Sequence, residues 1–120
     1  MFEMTVKVQV GNIEEGVKWY SAVLNKAPDR VPHLGSAEWQ PFKGCWLQMA
    51  EGKEESKGLL IRIGVHDIQA ERDRLRSALQ DETMEVSTKK FVPVKWIDLT
   101  DPWGNTIGFY EYLDKTYENK

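Results

Sequence analysis

The strongest constraint on this 120-residue chain is that it repeats itself. Residues 5–24, moved forward by 55 positions, place Val6, Val8, Val10, Ile13 and Leu24 on Ile61, Ile63, Val65, Ile68 and Leu79. The same move sets Lys7 on Arg62 and Asn12 on Asp67. A shift of 60 then puts Gly44 on Gly104, Leu47 on Ile107, Met49 on Phe109 and Glu51 on Glu111. A match that runs through both a strand-like and a helix-like stretch marks one supersecondary unit used twice. The five extra residues are read as loop insertions.

Each copy opens with alternation. Val6, Val8 and Val10 are apolar while Thr5, Lys7 and Gln9 are not, the period of a strand with one covered face. Ile61, Ile63 and Val65 repeat it. A helix follows in each copy. Asn12 with Glu15 forms an Asn-type capping box, and Asp67 is a good N-cap. Ile13, Val17, Tyr20 and Leu24 make one apolar stripe, and Ile68, the stem of Arg72, Leu75 and Leu79 make the other. Gly16 is a weak spot in the first helix. Three strands are predicted after each helix, at about 30–34, 37–42 and 45–51, and at about 83–87, 91–99 and 105–112. One domain is therefore expected, with module one at about 1–51, a polar linker at 52–58, module two at about 59–112 and a frayed polar tail at 113–120.

Composition narrows the function classes. Hydrophobic residues make up 41% and charged residues 29%, which is globular rather than disordered. A net charge of −3 leaves no basic footprint for nucleic acid. No apolar stretch is long enough to span a membrane, and Met1-Phe2-Glu3-Met4 lacks a signal-peptide pattern, so the expected compartment is the cytoplasm. The single cysteine, Cys45, excludes an internal disulfide and a four-cysteine zinc site and is read as a packing residue. Five tryptophans are the unusual entry in the composition.

The segment Leu99-Thr100-Asp101-Pro102-Trp103-Gly104-Asn105-Thr106-Ile107-Gly108-Phe109-Tyr110-Glu111 resembles the last hairpin of the vicinal oxygen chelate superfamily, which holds glyoxalase I, bleomycin-resistance proteins and extradiol dioxygenases. The opening Val10-Gly11-Asn12-Ile13, with Trp19-Tyr20 and Val23-Leu24-Asn25, is similar to that family's first strand and helix, with Asn25 standing where the family has glycine. The resemblance implies an α+β fold of two βαβββ modules, with mixed curved sheets around a cleft and helices on the outer faces. The turn has a mechanical reading of its own: Pro102 presets φ, Asp101 caps through its carboxylate and Gly104 permits positive φ. Asp101 is accordingly read as structural.

In metal-dependent members of the family, four ligands come from the first and last strand of each module. The resemblance puts those positions at Thr5, Gln48, Leu60 and Gly108. Leucine and glycine offer no donor, and a hydroxyl with an amide is too weak to offset dehydration of a divalent cation. Neither His33 nor His66 has ligand parity, and both read as surface residues. No metal and no other cofactor is expected. Parity sends Thr5, Lys7, Gln9, Trp46, Gln48, Arg62, Trp96, Asp98 and Tyr110 to the cleft, with Trp39 joining from a neighbouring strand or loop. Ligand-binding candidates are Trp46, Gln48, Arg62, Trp96, Asp98, Tyr110, Lys7 and Thr5. Indole faces stack planar or cationic groups, and a guanidinium forks a carboxylate or phosphate. Alternatively Lys7, Arg62 and Asp98 simply pair with one another, or the tryptophans fill the cleft. The expected function is metal-free binding of an aromatic or charged small molecule, without nucleic acid or membrane, by a homodimer such as the resemblance implies. The alternative is a lyase or isomerase with an unrecognised metal or acid–base site, and Asp98 against an aromatic wall is its proton-transfer candidate.

Overall fold

The computed structural model describes residues 2–52 and 59–119. Most of the predicted linker lies outside them. Two compact units make up the chain. Unit 1 spans Met1–Leu59 and takes in the turn Asp101–Asn105; unit 2 spans Leu60–Thr100 and Thr106–Lys120.

Unit 1 runs β1 (Met4–Val10), α1 (Ile13–Leu24), β2 (Ser36–Phe42) and β3 (Cys45–Glu51). Its sheet has the order β1-β3-β2, with β1 and β3 parallel and β2 and β3 antiparallel. Unit 2 repeats the plan with β4 (Leu60–Gly64), α2 (Ile68–Leu79), β5 (Val94–Thr100) and β6 (Thr106–Tyr112). Its order is β4-β6-β5, again with one parallel and one antiparallel pair. The predicted strands at 30–34 and 83–87 shrink to single bridges, Arg30 to Glu38 and Ser87 to Trp96. The first of the three strands expected after each helix is thus present only as a point of pairing. In unit 1 the segment after Arg30 reads Val31-Pro32, and proline has no N–H to continue a ladder. The strand expected at 91–99 starts at Val94, because Phe91 sits at φ +69 and Pro93 precedes the first paired residue.

Helix starts and stops follow the residues. The Asn12 side chain accepts from Glu15 N at 2.9 Å, and Asp67 accepts from Gln69 N and Ala70 N, each at 3.1 Å. Both helices end on a left-handed residue, Asn25 at φ +59 and Gln80 at φ +53. Asparagine tolerates that conformation, so position 25 can end the helix without a glycine. Gly16 is where α1 touches its sheet: a Cβ there would lie 2.8 Å from Met49 Sδ and 3.0 Å from Val10 Cγ2. The residue that weakens the helix locally lets it pack closely.

Period-two alternation sorts the sheets. In unit 1 Val8, Val10, Ala37, Trp39, Leu47 and Met49 are buried beneath α1, with Tyr20 and Val23. In unit 2 Ile97, Leu99, Ile107 and Phe109 are buried on the side of α2, with Ile68 and Leu75. Trp39 therefore joins the core and not the cleft-facing set. Its ring is fully buried, its Nε1 donates to Lys26 O at 3.0 Å, and it lies 6.1 Å from the Tyr20 ring. The tail corrects another expectation. Lys115–Asn119 forms a short 3-10 turn in place of a frayed end. The Lys115 ammonium holds it, bonding Glu111 Oε2 at 2.9 Å, His66 O at 2.6 Å and Glu118 Oε1 at 3.2 Å.

The Asp-Pro-Trp-Gly-Asn turn is a buried polar knot in unit 1. Asp101 Oδ1 accepts from Trp103 N at 2.8 Å and Asn105 N at 2.9 Å. Its Oδ2 accepts from Asn105 Nδ2 at 2.8 Å and from the Tyr20 hydroxyl at 2.7 Å. Asn105 Nδ2 also reaches Gln9 O at 2.9 Å, so the turn is tied to β1 and α1. Gly104 takes φ +90, as the turn requires. With four donors committed to it, the Asp101 carboxylate is structural. Burial first, and the bond to Asp101 second, push the Tyr20 phenol far above its ordinary value.

Candidate functional site

Each sheet has one face that its helix does not cover. On that face of the first sheet stand Thr5, Lys7 and Gln9 of β1, Trp46 and Gln48 of β3, and Glu38 of β2. The second sheet presents Leu60, Arg62 and Gly64 of β4, Trp96 and Asp98 of β5, and Gly108 and Tyr110 of β6. Thr5, Lys7, Trp46 and Gln48 thus share one surface of unit 1, and Arg62, Trp96, Asp98 and Tyr110 share one surface of unit 2.

Register puts an equivalent row across both sheets. In unit 1 it reads Lys7, Gln48, Glu38; in unit 2 it reads Arg62, Gly108, Asp98. Base, neutral residue and acid stand side by side in each. The two rows are wired differently. Arg62 Nε and Nη2 donate to the two oxygens of Asp98 at 3.1 and 2.7 Å, a bidentate fork that crosses over β6. Gly108 lies beneath it: a Cβ there would fall 2.2 Å from Asp98 Oδ1, 2.9 Å from Ile97 O and 3.2 Å from Arg62 Cγ. The fork exists because position 108 has no side chain. Pairing with Asp98 pushes the Arg62 guanidinium above its already high value.

In unit 1 the middle residue is Gln48, whose Nε2 donates to Glu38 Oε2 at 2.9 Å. Glu38, only 8% exposed, is also met by Arg30 Nε at 3.2 Å, and the Arg30 guanidinium lies 3.8 Å from the Trp46 ring centroid. Arg62 sits less tightly, 5.9 Å from the Trp96 centroid. Each tryptophan on these faces is therefore already faced by an arginine. Lys7 is exposed. Within unit 2, Arg62 and Asp98 form the pairing expected between them.

Glu38 and Arg30 are absent from the candidates drawn from sequence. The signal for Glu38 was present, since the 60-residue shift that pairs Gln48 with Gly108 also pairs Glu38 with Asp98. Arg30 had no such signal; it reaches Glu38 through the isolated bridge that stands where a strand was expected.

The residues at the four positions that the resemblance marks as chelating do not fit a divalent ion. Leu60 and Gly108 supply no donor, Gln48 donates its amide to Glu38, and Thr5 is a neutral hydroxyl. Among the described residues no group of three or more His, Cys, Asp or Glu is placed to hold a metal. His33 is exposed, with Nδ1 against Leu34 O at 2.8 Å, and His66 is exposed, with Nδ1 2.9 Å from Glu118 Oε2. Asp98 does not stand alone against an aromatic wall, because both its oxygens accept from Arg62. No helix among the described residues is long and apolar enough to cross a membrane.

No family model matches the chain, and no curated protein matches it in sequence. Solved structures do match. A glyoxalase/bleomycin resistance protein from Catenulispora acidiphila superimposes with a TM-score of 0.76 at 24% identity, covering 92% of this chain and 98% of that one. A glyoxalase-related enzyme from Clostridium phytofermentans gives 0.74 at 14% identity, covering 94% and 96%. The oxidase ChaP-H1 gives 0.71 at 14% identity, covering 92% and 95%. At such identities the likeness establishes the fold.

Proposed function

We propose, from the premise that this chain has the vicinal oxygen chelate fold of the glyoxalase/bleomycin-resistance proteins, that it binds a small molecule without a metal. The ligand is aromatic or charged, and the protein acts as a homodimer in the cytoplasm. One observation carries the reading. The Arg62–Asp98 fork occupies the space over Gly108, where the family sequence pattern puts a metal ligand. What these faces offer instead is indole surface, two arginines and two carboxylates, the mixture that orients a small planar or ionic molecule. The candidate contacts are Trp46, Gln48, Lys7 and Thr5 on unit 1, joined by Arg30 and Glu38, and Arg62, Trp96, Asp98 and Tyr110 on unit 2. An acid–base enzyme on the same surface needs a free titrating group, whereas Asp98 is engaged by Arg62 and Glu38 by Arg30 and Gln48.

The test has two arms. Tryptophan fluorescence and thermal melting are followed against a panel of aromatic acids, amines and phosphates. A ligand at ten times its Kd adds about 1.4 kcal/mol, roughly 6 °C for a chain of this length. Saturable quenching with such a shift supports the reading; a panel with neither counts against it. Elemental analysis after chelator-free purification forms the second arm, and stoichiometric nickel, zinc, iron or manganese overturns the metal-free reading.

A further inference from the structure

Unit 2 holds a cavity that the preceding reading does not use. It has a volume of about 260 Å³ and lies where β4 ends and the 3-10 turn of the tail folds back. That volume sits below the usual range for drug-sized ligands and suits a small head group. Three tyrosines line it. Tyr110 and Tyr112 stand edge to face, centroids 5.4 Å apart at 88°, so their rings form a corner. Tyr117, from the tail, stacks on Tyr112 at 5.5 Å and 29°. Gly64 closes one side, and a Cβ there would press on the Tyr110 hydroxyl at 3.2 Å.

The charge in the wall is negative. Glu118 supplies a carboxylate, and neither lysine nor arginine is among the lining residues. Lys115 touches Glu118 from outside the lining and is shared with Glu111 and the His66 carbonyl. His66 stands at the rim with 89% of its side chain exposed. Hydrogen bonds from His66 and Lys115 hold the Glu118 carboxyl below its ordinary value, and hydrogen bonding with Tyr112 raises the Tyr110 phenol. The acid is thus ionised and the Tyr110 ring neutral at neutral pH. Phenol oxygens and a carboxylate repel an anion. Electron-rich ring faces at right angles, with one carboxylate, attract a cation whose charge is spread over a greasy surface.

We propose that this tyrosine corner with Glu118 is a binding site for a small organic ammonium group, such as a quaternary or methylated amine. The site rests on residues other than those of the function proposed above, apart from Tyr110, and stands whether or not that function holds. Because it opens to solvent, its affinity is expected in the millimolar range.

Choline and its uncharged carbon isostere, 3,3-dimethyl-1-butanol, test the charge directly on the unaltered chain, with tyrosine-ring NMR signals as the readout. Saturable shifts of Tyr110, Tyr112 and Tyr117, with choline at least about tenfold tighter than the isostere, support the site. Glu118→Gln should weaken choline by about threefold or more and leave the isostere unchanged. Equal binding of the two probes overturns the proposal, as does an absence of saturation at about 100 mM or a shift confined to tryptophan signals. Tyr112→Leu should cut the preference for choline to about the threefold that Glu118 supplies; an undiminished preference in the folded variant also overturns it.

Discussion

Replacing Asp101 tests whether the most recognisable motif in the chain is architecture or chemistry. Its carboxylate accepts from Tyr20 Oη, Trp103 N, Asn105 N and Asn105 Nδ2, all within 2.7–2.9 Å. In Asp101→Ala, Trp103 N can turn to water, and Asn105 Nδ2 keeps Gln9 O. The Tyr20 hydroxyl and Asn105 N, on residues 1% exposed, lose their bonds to the carboxylate. A hydrogen bond to a charged group is worth about 1.5–3 kcal/mol, so losing the two costs roughly 3 kcal/mol. The entropy of unfolding of 120 residues is about 0.25 kcal/mol/K, which converts this to a fall in Tm of roughly 12 °C. Tyr20→Phe removes one of the four donors and leaves the carboxylate satisfied by the rest, so about 1 kcal/mol and 4 °C are expected. In the double variant no hydroxyl is stranded. Asp101→Ala should therefore cost at least about 1 kcal/mol less in the Tyr20→Phe background, a coupling that a double-mutant cycle reads directly. Calorimetry of the four proteins supplies all the numbers. A Tm for Asp101→Ala within 2 °C of the parent, or strict additivity with Tyr20→Phe, would refute the account of the turn as a buried knot (the 2 °C threshold being about half of one 1 kcal/mol step).

Other consequences are testable in the same material. The Tyr20 phenol is raised in the folded chain above its ordinary 10.0, so its contribution is full below about pH 10 and is lost as the unfolded chain ionises above it. Unfolding free energies from urea titrations between about pH 9 and 11 should fall more steeply for the parent than for Tyr20→Phe, by up to about 1.4 kcal/mol per pH unit, and parallel curves would contradict the shift. Gly108→Ala forces a Cβ to within 2.9 Å of the Ile97 carbonyl and breaks the Arg62–Asp98 fork, with an expected loss of about 1–3 kcal/mol in chemical denaturation. Arg62→Met, which only removes the half-exposed pair, should cost under about 1 kcal/mol, and the contrast between the two variants isolates the backbone clash. Asp67→Ala strips the cap from two N–H groups of α2 and should cost about 1 kcal/mol, measured the same way.

Local chemistry was legible in the residues themselves. Alternation is a property of neighbours along the chain, so the faces of β1, β3, β4, β5 and β6 could be read without any partner strand. Caps are equally local, and Asn12 and Asp67 bond within three residues of themselves. The 60-residue shift even holds the acid–neutral pairing, since it sets Glu38 on Asp98 as it sets Gln48 on Gly108. The same parity places Trp39: Ala37 and Trp39 alternate with Glu38 and Gln40, which sends the indole inward, under α1.

Tertiary structure alone decided what meets across strands and turns. Tyr20 reaches Asp101 over 81 residues, and no periodicity reports which buried hydroxyl will find a turn. Gly108 looked like a missing ligand in the sequence; only the register of three strands reveals that an ion pair needs the room. The same holds for the tyrosine cavity, whose walls come from β6, the end of β4 and a tail that the sequence marked as loose. Side-chain direction follows from covalent geometry every two residues, whereas the neighbours a side chain meets depend on which strands pair and in what register.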